Sequence, residues 1–222
     1  MSRVLDLTGP IYTGMWSYGE PFPQVTVRPL PTVSWVRYPI YAEIFDGMNS
    51  QCGTYLETPA HLLGDRSYPL SAVSVERLFE MPAVVLKLEL PEAGPCAPIT
   101  RQALEAAPGV DRICPGDALL LCTGWGERWR APDFVEHSPF ITREAMDFLI
   151  GKKPFLLGSD FPRWDNLASP QGFWQDFYAA DILMLAPLCN LTQAPTTGGR
   201  LTALPLRVEE TCCAPCRAVM HF

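Results

Sequence analysis

Apolar residues along this chain fall in short, nearly unbroken runs rather than at helical spacing. VLDL at 4–7, QVTVR at 24–28, AVVLKLEL at 83–90 and DALLLCTG at 117–124 are followed by PFLLGSD at 154–160, ILMLAPL at 182–188, LTALPLRV at 201–208 and RAVMHF at 217–222. Runs of this length bounded by turn residues predict strands, and unbroken ones predict strands buried on both faces. Periodicity alone leaves buried helix open for the shortest of them. Helical grammar is rarer. ITREAMDFLIG at 141–151 offers Thr142 as N-cap, apolar Met146, Phe148 and Leu149, and Gly151 as the stop. TRQALEAAPG at 100–109 repeats it, and VSVERLFE at 73–80 is a shorter candidate. Strands and helices interleave irregularly, which predicts an α/β domain with a mixed sheet and a large all-β portion.

One extended stretch carries a polar face. In QCGTYLETPAH, at 51–61, residues Gln51, Tyr55 and Glu57 share parity, so a strand would project all three from one side. Pro59 ends the ladder and His61 follows. A row of polar groups closed by a histidine is how a divalent metal site is often built. A neutral amide and a phenol are poor ligands for a transition metal, however.

Composition narrows the possibilities. At 222 residues the chain suits one core, so residues 1–222 are expected to form a single domain. A net charge of −7 with scattered lysines and arginines argues against nucleic acid or an anionic membrane as partner. The N-terminus lacks the apolar stretch of a secretory signal and no run is long enough to span a bilayer, so a cytoplasmic location is expected. The eight cysteines then read as free thiols. Within CCAPC, Cys213 and Cys216 form one CxxC, open to reading as half a zinc site or a redox pair, or as reduced thiols in a turn between strands. The chain has no GxSxG, no phosphate-binding glycine loop, no HExxH and no GxGxxG after a strand.

Aromatic residues concentrate in turn-rich sequence: GMWSYGEPFP, TGWGERW, SDFPRWDN and QGFWQDFY. Trp16, Trp125 and Trp174 either cap the core or an oligomer interface, or line a pocket for a flat apolar ligand. Asp160 ends a predicted strand, where sites tend to form, and Arg163 with Asp165 is either a surface pair or a grip on a polar ligand.

The chain resembles the cyclase family that contains bacterial kynurenine formamidase and isatin hydrolase. Those enzymes carry HxGTHxDxPxH, of which QCGTYLETPAH keeps the Gly-Thr, the Pro and the last His. LLLCTGW, REAMDFLIGKKPFLLGSD and LTALPLRVEETCCAPCRAV extend the likeness along the chain. The resemblance implies an α/β fold with a β-barrel-like core and few flanking helices. It also implies a homodimer or larger assembly with pockets near subunit contacts. In the family the first two histidines and the aspartate bind a divalent metal and the last histidine does acid–base chemistry. Here those ligand positions fall on Gln51, Tyr55 and Glu57, a further histidine and glutamate fall on Trp174 and Ala186, and His61 keeps the catalytic place.

One carboxylate does not hold zinc or manganese where three or four ligands are the norm, so no metal and no other cofactor is expected. His61, Tyr55 and Glu57 are the candidate catalytic residues. His61 carries a proton, Glu57 either orients it or holds it protonated, and Tyr55 with Gln51 supplies donors to a developing oxyanion. Gln51, Trp16, Trp125, Asp160, Arg163 and Trp174 are candidates for binding a small-molecule substrate. The expected chemistry is cyclisation, elimination or isomerisation of an apolar, carbonyl-bearing natural-product intermediate. Hydrolysis of an amide, lactam or lactone is the alternative, and a non-catalytic small-molecule binder is a third.

Overall fold

The structure is a computed structural model that describes residues 3–90 and 94–222. Its strands are β1 (Val4–Asp6), β2 (Thr26–Pro29), β3 (Glu43–Asp46), β4 (Tyr55–Glu57), β5 (Met81–Lys87), β6 (Pro98–Ile99), β7 (Ala118–Cys122), β8 (Phe140–Ile141), β9 (Leu156–Ser159), β10 (Leu183–Ala186), β11 (Gly199–Pro205) and β12 (Cys213–His221). The helices are α1 (Ala60–Leu63), α2 (Arg101–Ala106), α3 (Arg143–Gly151) and α4 (Trp174–Ala179).

Seven strands close on themselves in the order β12-β11-β5-β7-β9-β10-β4 and back to β12, with β1 added on the edge of β12. β5, β7, β9 and β10 run parallel, and the remaining barrel pairings are antiparallel. Closure leaves the short β4 paired on both sides, by β10 and by β12. This removes the open edge that a three-residue strand would otherwise present.

The unbroken apolar runs are explained by alternation between two cores. Ala83, Val85, Leu120, Leu156, Leu183, Leu185, Leu56 and Ala214 pack together inside the barrel. Their neighbours Val84, Leu86, Leu119, Leu121, Leu157, Met184 and Ala186 face outward, onto Leu104 of α2, Met146 and Leu149 of α3 and Phe177 of α4. Burial on both faces is what makes each strand read as continuously hydrophobic.

Thr100 and Thr142 cap α2 and α3 as their sequences predict, accepting hydrogen bonds from Ala103 N and Ala145 N. Four expectations need correcting. α3 runs through Gly151, and the left-handed residue that ends this region is Lys153, φ 54°. VSVERLFE forms a 3₁₀ turn at Val75–Leu78 rather than an α-helix. The strand at 83–90 ends at Lys87. QGFWQDFY contains α4, whose Trp174, Phe177 and Tyr178 sit at helical spacing.

Candidate active site

Only Tyr55–Glu57 of the 51–57 segment is strand. Gln51–Thr54 forms a turn in which Gly53 has φ +71°, and a Cβ there would stand 3.0 Å from Ile11 Cγ1. That turn folds Gln51 back over the strand, so Gln51 Nε2 donates to Glu57 Oε2 at 3.2 Å. Thr54 anchors the strand's start by donating to Pro187 O at 2.5 Å and accepting from Gly9 N at 3.0 Å. Leu56 enters the barrel, while Tyr55 and Glu57 face out. Residues opposite in a ladder share a face, so Glu57 stands between Met184 and Cys213, and Tyr55 between Ala186 and Pro215. Beyond the strand, Thr58 N donates to Cys212 O at 2.8 Å. α1 then brings His61 Nδ1 to 3.6 Å from Glu57 Oε2. His61 is therefore on the first turn of a helix rather than at a strand's end.

These groups form the floor of a cavity of about 440 Å³. Its walls include Tyr18, Phe22, Leu62, Trp164, Trp174 and Tyr178, with Arg163 and Asp165 at the rim. Trp174 lies between Trp164 and Tyr178 with near-parallel rings, 8° and 18° between planes, so its indole builds a wall and does not plug the space.

Electrostatics divide the phenols from the carboxylate. Tyr18 donates to Pro162 O at 3.0 Å, so its 3.0 Å contact with Tyr55 carries the Tyr55 proton. Burial pushes the Tyr55 hydroxyl well above the ordinary phenol range, and Tyr18 and Glu57 nearby add to this. Glu57, 1% exposed, accepts from Tyr178 Oη as well as from Gln51. Burial raises its pKa, partly offset by His61, Tyr178 and Gln51. His61 Nε2 has no hydrogen-bond partner among the described residues, which leaves that nitrogen for a ligand.

Of the candidate residues, the structure brings together His61, Tyr55, Glu57, Gln51, Arg163 and Trp174 around one cavity. It does not bring Trp16, Trp125 or Asp160 there. Trp16 packs edge-on against Trp129 and beside Phe134 in a closed aromatic core. Trp125 stacks on Phe134 and donates to its carbonyl at 2.8 Å. Asp160 is buried and accepts from Thr123 Oγ1 and from the backbone N–H groups of Thr123 and Gly124, so it shapes the 123–126 turn. Tyr55 also departs from expectation, since its proton is committed to Tyr18 and not offered to the cavity. Sequence reasoning missed Tyr18 and Tyr178. The second was legible once QGFWQDFY is read as a helix, because Trp174 and Tyr178 are then i,i+4 neighbours.

The chain belongs to the family described as Putative cyclase, whose model matches residues 5–166. Isatin hydrolase of Roseibium aggregatum is 25% identical over 199 residues, which cover 82% of this chain and 75% of the relative. A crystal structure of an isatin hydrolase bound to the product analogue thioisatinate superposes with a TM-score of 0.83 at 22% identity, covering 100% of this chain and 92% of that one. A structure named as a potential metal-dependent hydrolase with cyclase activity gives 0.74 at 21% identity, covering 100% of both chains.

The donor set here does not fit a divalent ion at the positions the family motif assigns. Gln51 offers an amide, the Tyr55 proton is shared with Tyr18, Ala186 has no donor, and both Glu57 oxygens already accept hydrogen bonds. Ala186 lies directly opposite Tyr55 in the ladder, so β10 brings no carboxylate to the phenol. Three or four good ligands are required, and one engaged carboxylate falls short.

Proposed function

We propose that this protein is an acid–base catalyst that works without the family's divalent ion, on a small, apolar, carbonyl-bearing molecule. One observation carries the reading: a fully buried carboxylate, Glu57, lies 3.6 Å from His61 on the floor of an open aromatic cavity. At that separation Glu57 holds the Nδ1 side of the ring and leaves Nε2 for the ligand. His61 Nε2 removes a proton from the carbon beside the carbonyl, and the C–H electron pair becomes an enolate. Arg163 and the second Gln51 amide hydrogen supply the positive field for its oxygen. Ring closure follows when the enolate carbon attacks an electrophilic carbon of the same molecule. The imidazolium returns its proton to the new oxyanion, so the net reaction is an isomerisation with no co-reactant.

A second reading has specific support in the isatin hydrolase relatives: His61 takes a proton from water instead, and the hydroxide opens an amide, lactam or lactone. Proton NMR of aromatic ketones, aryl lactams and aryl lactones in deuterated buffer separates the two. Enzyme-dependent loss of the α-proton signal supports the first reading, and ring opening without exchange would replace it by the second.

The same reading extends to location and assembly, a cytoplasmic homodimer. Trp35, Tyr38, Ile40 and Tyr41 stand exposed on the segment that links β2 to β3, which supports a subunit contact. Sedimentation showing only monomer at micromolar concentration would refute the dimer. Among the described residues no helix is long and apolar enough to cross a membrane.

A further inference from the structure

Beside the cavity floor lies a second set of ligating atoms that the acid–base reading does not use. Cys212 Sγ is 3.8 Å from Cys213 Sγ and 3.7 Å from His61 Nδ1, and the three ligand atoms all lie within 4.8 Å of one another. A tetrahedral zinc ion with Zn–S of about 2.3 Å and Zn–N of about 2.0 Å separates two sulfurs by about 3.8 Å and a sulfur from a nitrogen by about 3.5 Å. The side chains thus already stand close to the edges of such a polyhedron. We propose that Cys212, Cys213 and His61 form a binding site for a thiophilic, tetrahedral cation, zinc being the one tested.

The backbone holds these ligands in place. Cys213 begins β12 opposite Glu57, and their side chains share a face. Cys212 O accepts from Thr58 N and from Thr58 Oγ1, at 2.8 and 3.3 Å, which ties the cysteine pair to the segment leading into α1 and His61. The CxxC reading does not describe this site. Cys216 is three residues from Cys213, so it takes the opposite strand face and is buried in the barrel core. Soft thiolates and an imidazole suit zinc, unlike the amide, phenol and alanine at the family's metal positions. Glu57 Oε2, 3.6 Å from the same His61 nitrogen, is the carboxylate beside the remaining coordination position. An ion bound here takes Nδ1 of His61, so occupancy changes the same ring that the acid–base reading assigns to proton transfer.

Binding is tested independently of any reaction. Reduced full-length protein, stripped with chelator, is titrated with zinc by calorimetry and with cadmium by near-ultraviolet absorption, where thiolate-to-cadmium charge transfer appears. One ion per chain with that charge-transfer band is the expected result. Cys212→Ser with Cys213→Ser should abolish the band and weaken zinc on the order of 10²-fold or more, while Cys216→Ser leaves both unchanged. Absence of binding by the reduced wild-type protein would overturn the site, and so would a cadmium band that survives in the double variant. Wild type alone suffices for the first outcome, so a variant that folds poorly does not rescue the proposal. Failure of proton transfer at His61 would leave the metal readout standing.

Discussion

Trp16 packs edge to face on Trp129, and both rings lie tilted against Phe134 in a cluster with Met15 and Cys52. In a second cluster Trp164, Trp174 and Tyr178 stack nearly parallel. Both clusters are rich in aromatic area, yet the first is closed and the second walls a cavity. The difference lies in which polar groups they hold. In the closed cluster the indole N–H groups of Trp125 and Trp129 go to backbone carbonyls, Phe134 O and Pro10 O, while Trp16 Nε1 is buried with no partner among the described residues. In the open one a phenol goes to a buried carboxylate that still faces a histidine. Aromatic richness marks hydrophobic content; a buried ionisable group left facing a cavity marks a site.

The largest expected effect breaks the closed cluster. Phe134→Ala removes a fully buried ring and should cost about 3–5 kcal/mol of stability in denaturant titration. Trp174→Ala should cost clearly less, because its indole is only partly buried, and should instead weaken binding of a flat ligand. Equal stability losses from the two would erase the distinction drawn between the clusters.

Glu57→Gln sharpens the comparison. The amide keeps the volume but directs an N–H at a donor, either Gln51 or Tyr178, and withdraws the charge beside His61. A stability loss of about 1–3 kcal/mol is expected, together with a fall in turnover larger than any rise in KM. Turnover equal to wild type would remove Glu57 from the account.

Asp160 supplies a contrast of its own, a buried carboxylate whose oxygens accept from the Thr123–Gly124 turn. Burial pushes its pKa up to about 6, against the hydrogen bonds from Thr123 and Gly124. Because the folded value is raised, this group favours the folded state most below about pH 4, and that contribution is lost as pH rises through 6. Asp160→Asn should therefore flatten the stability profile between pH 4 and 6, measured by thermal unfolding. An unchanged slope would show that Asp160 is not raised. Tyr55→Phe is the smallest effect expected: about 1 kcal/mol from the lost bond to Tyr18, and turnover within about threefold of wild type. A loss of 10²-fold or more would return Tyr55 to the oxyanion role that its hydrogen bonding argues against.

The barrel strands were legible because burial on both faces writes continuous apolar runs, as in ALLLC and ILMLA. The meeting of Tyr55, Glu57 and His61 was legible from the motif and from strand parity. What escaped were features set by tertiary contacts. Nothing local distinguishes Trp16 from Trp174, since each lies in a Gly- and aromatic-rich stretch and only packing decides which faces a cavity. Asp160 has the position expected of a site residue, but the Thr123–Gly124 turn absorbs its oxygens. Cys212 and Cys213 acquire His61 as a neighbour across 151 positions of sequence, through the β4–β12 ladder.

The account rests on His61 as the proton carrier beside Glu57. The most direct measurement is α-proton exchange into deuterated buffer by wild type and His61→Ala, on the carbonyl compound that wild type exchanges fastest. His61 is half-exposed, so the variant should fold with little change in melting temperature. The account predicts a fall in enzyme-dependent exchange on the order of 10²–10⁴, the usual worth of a positioned general base. Exchange by His61→Ala within about threefold of wild type would contradict it.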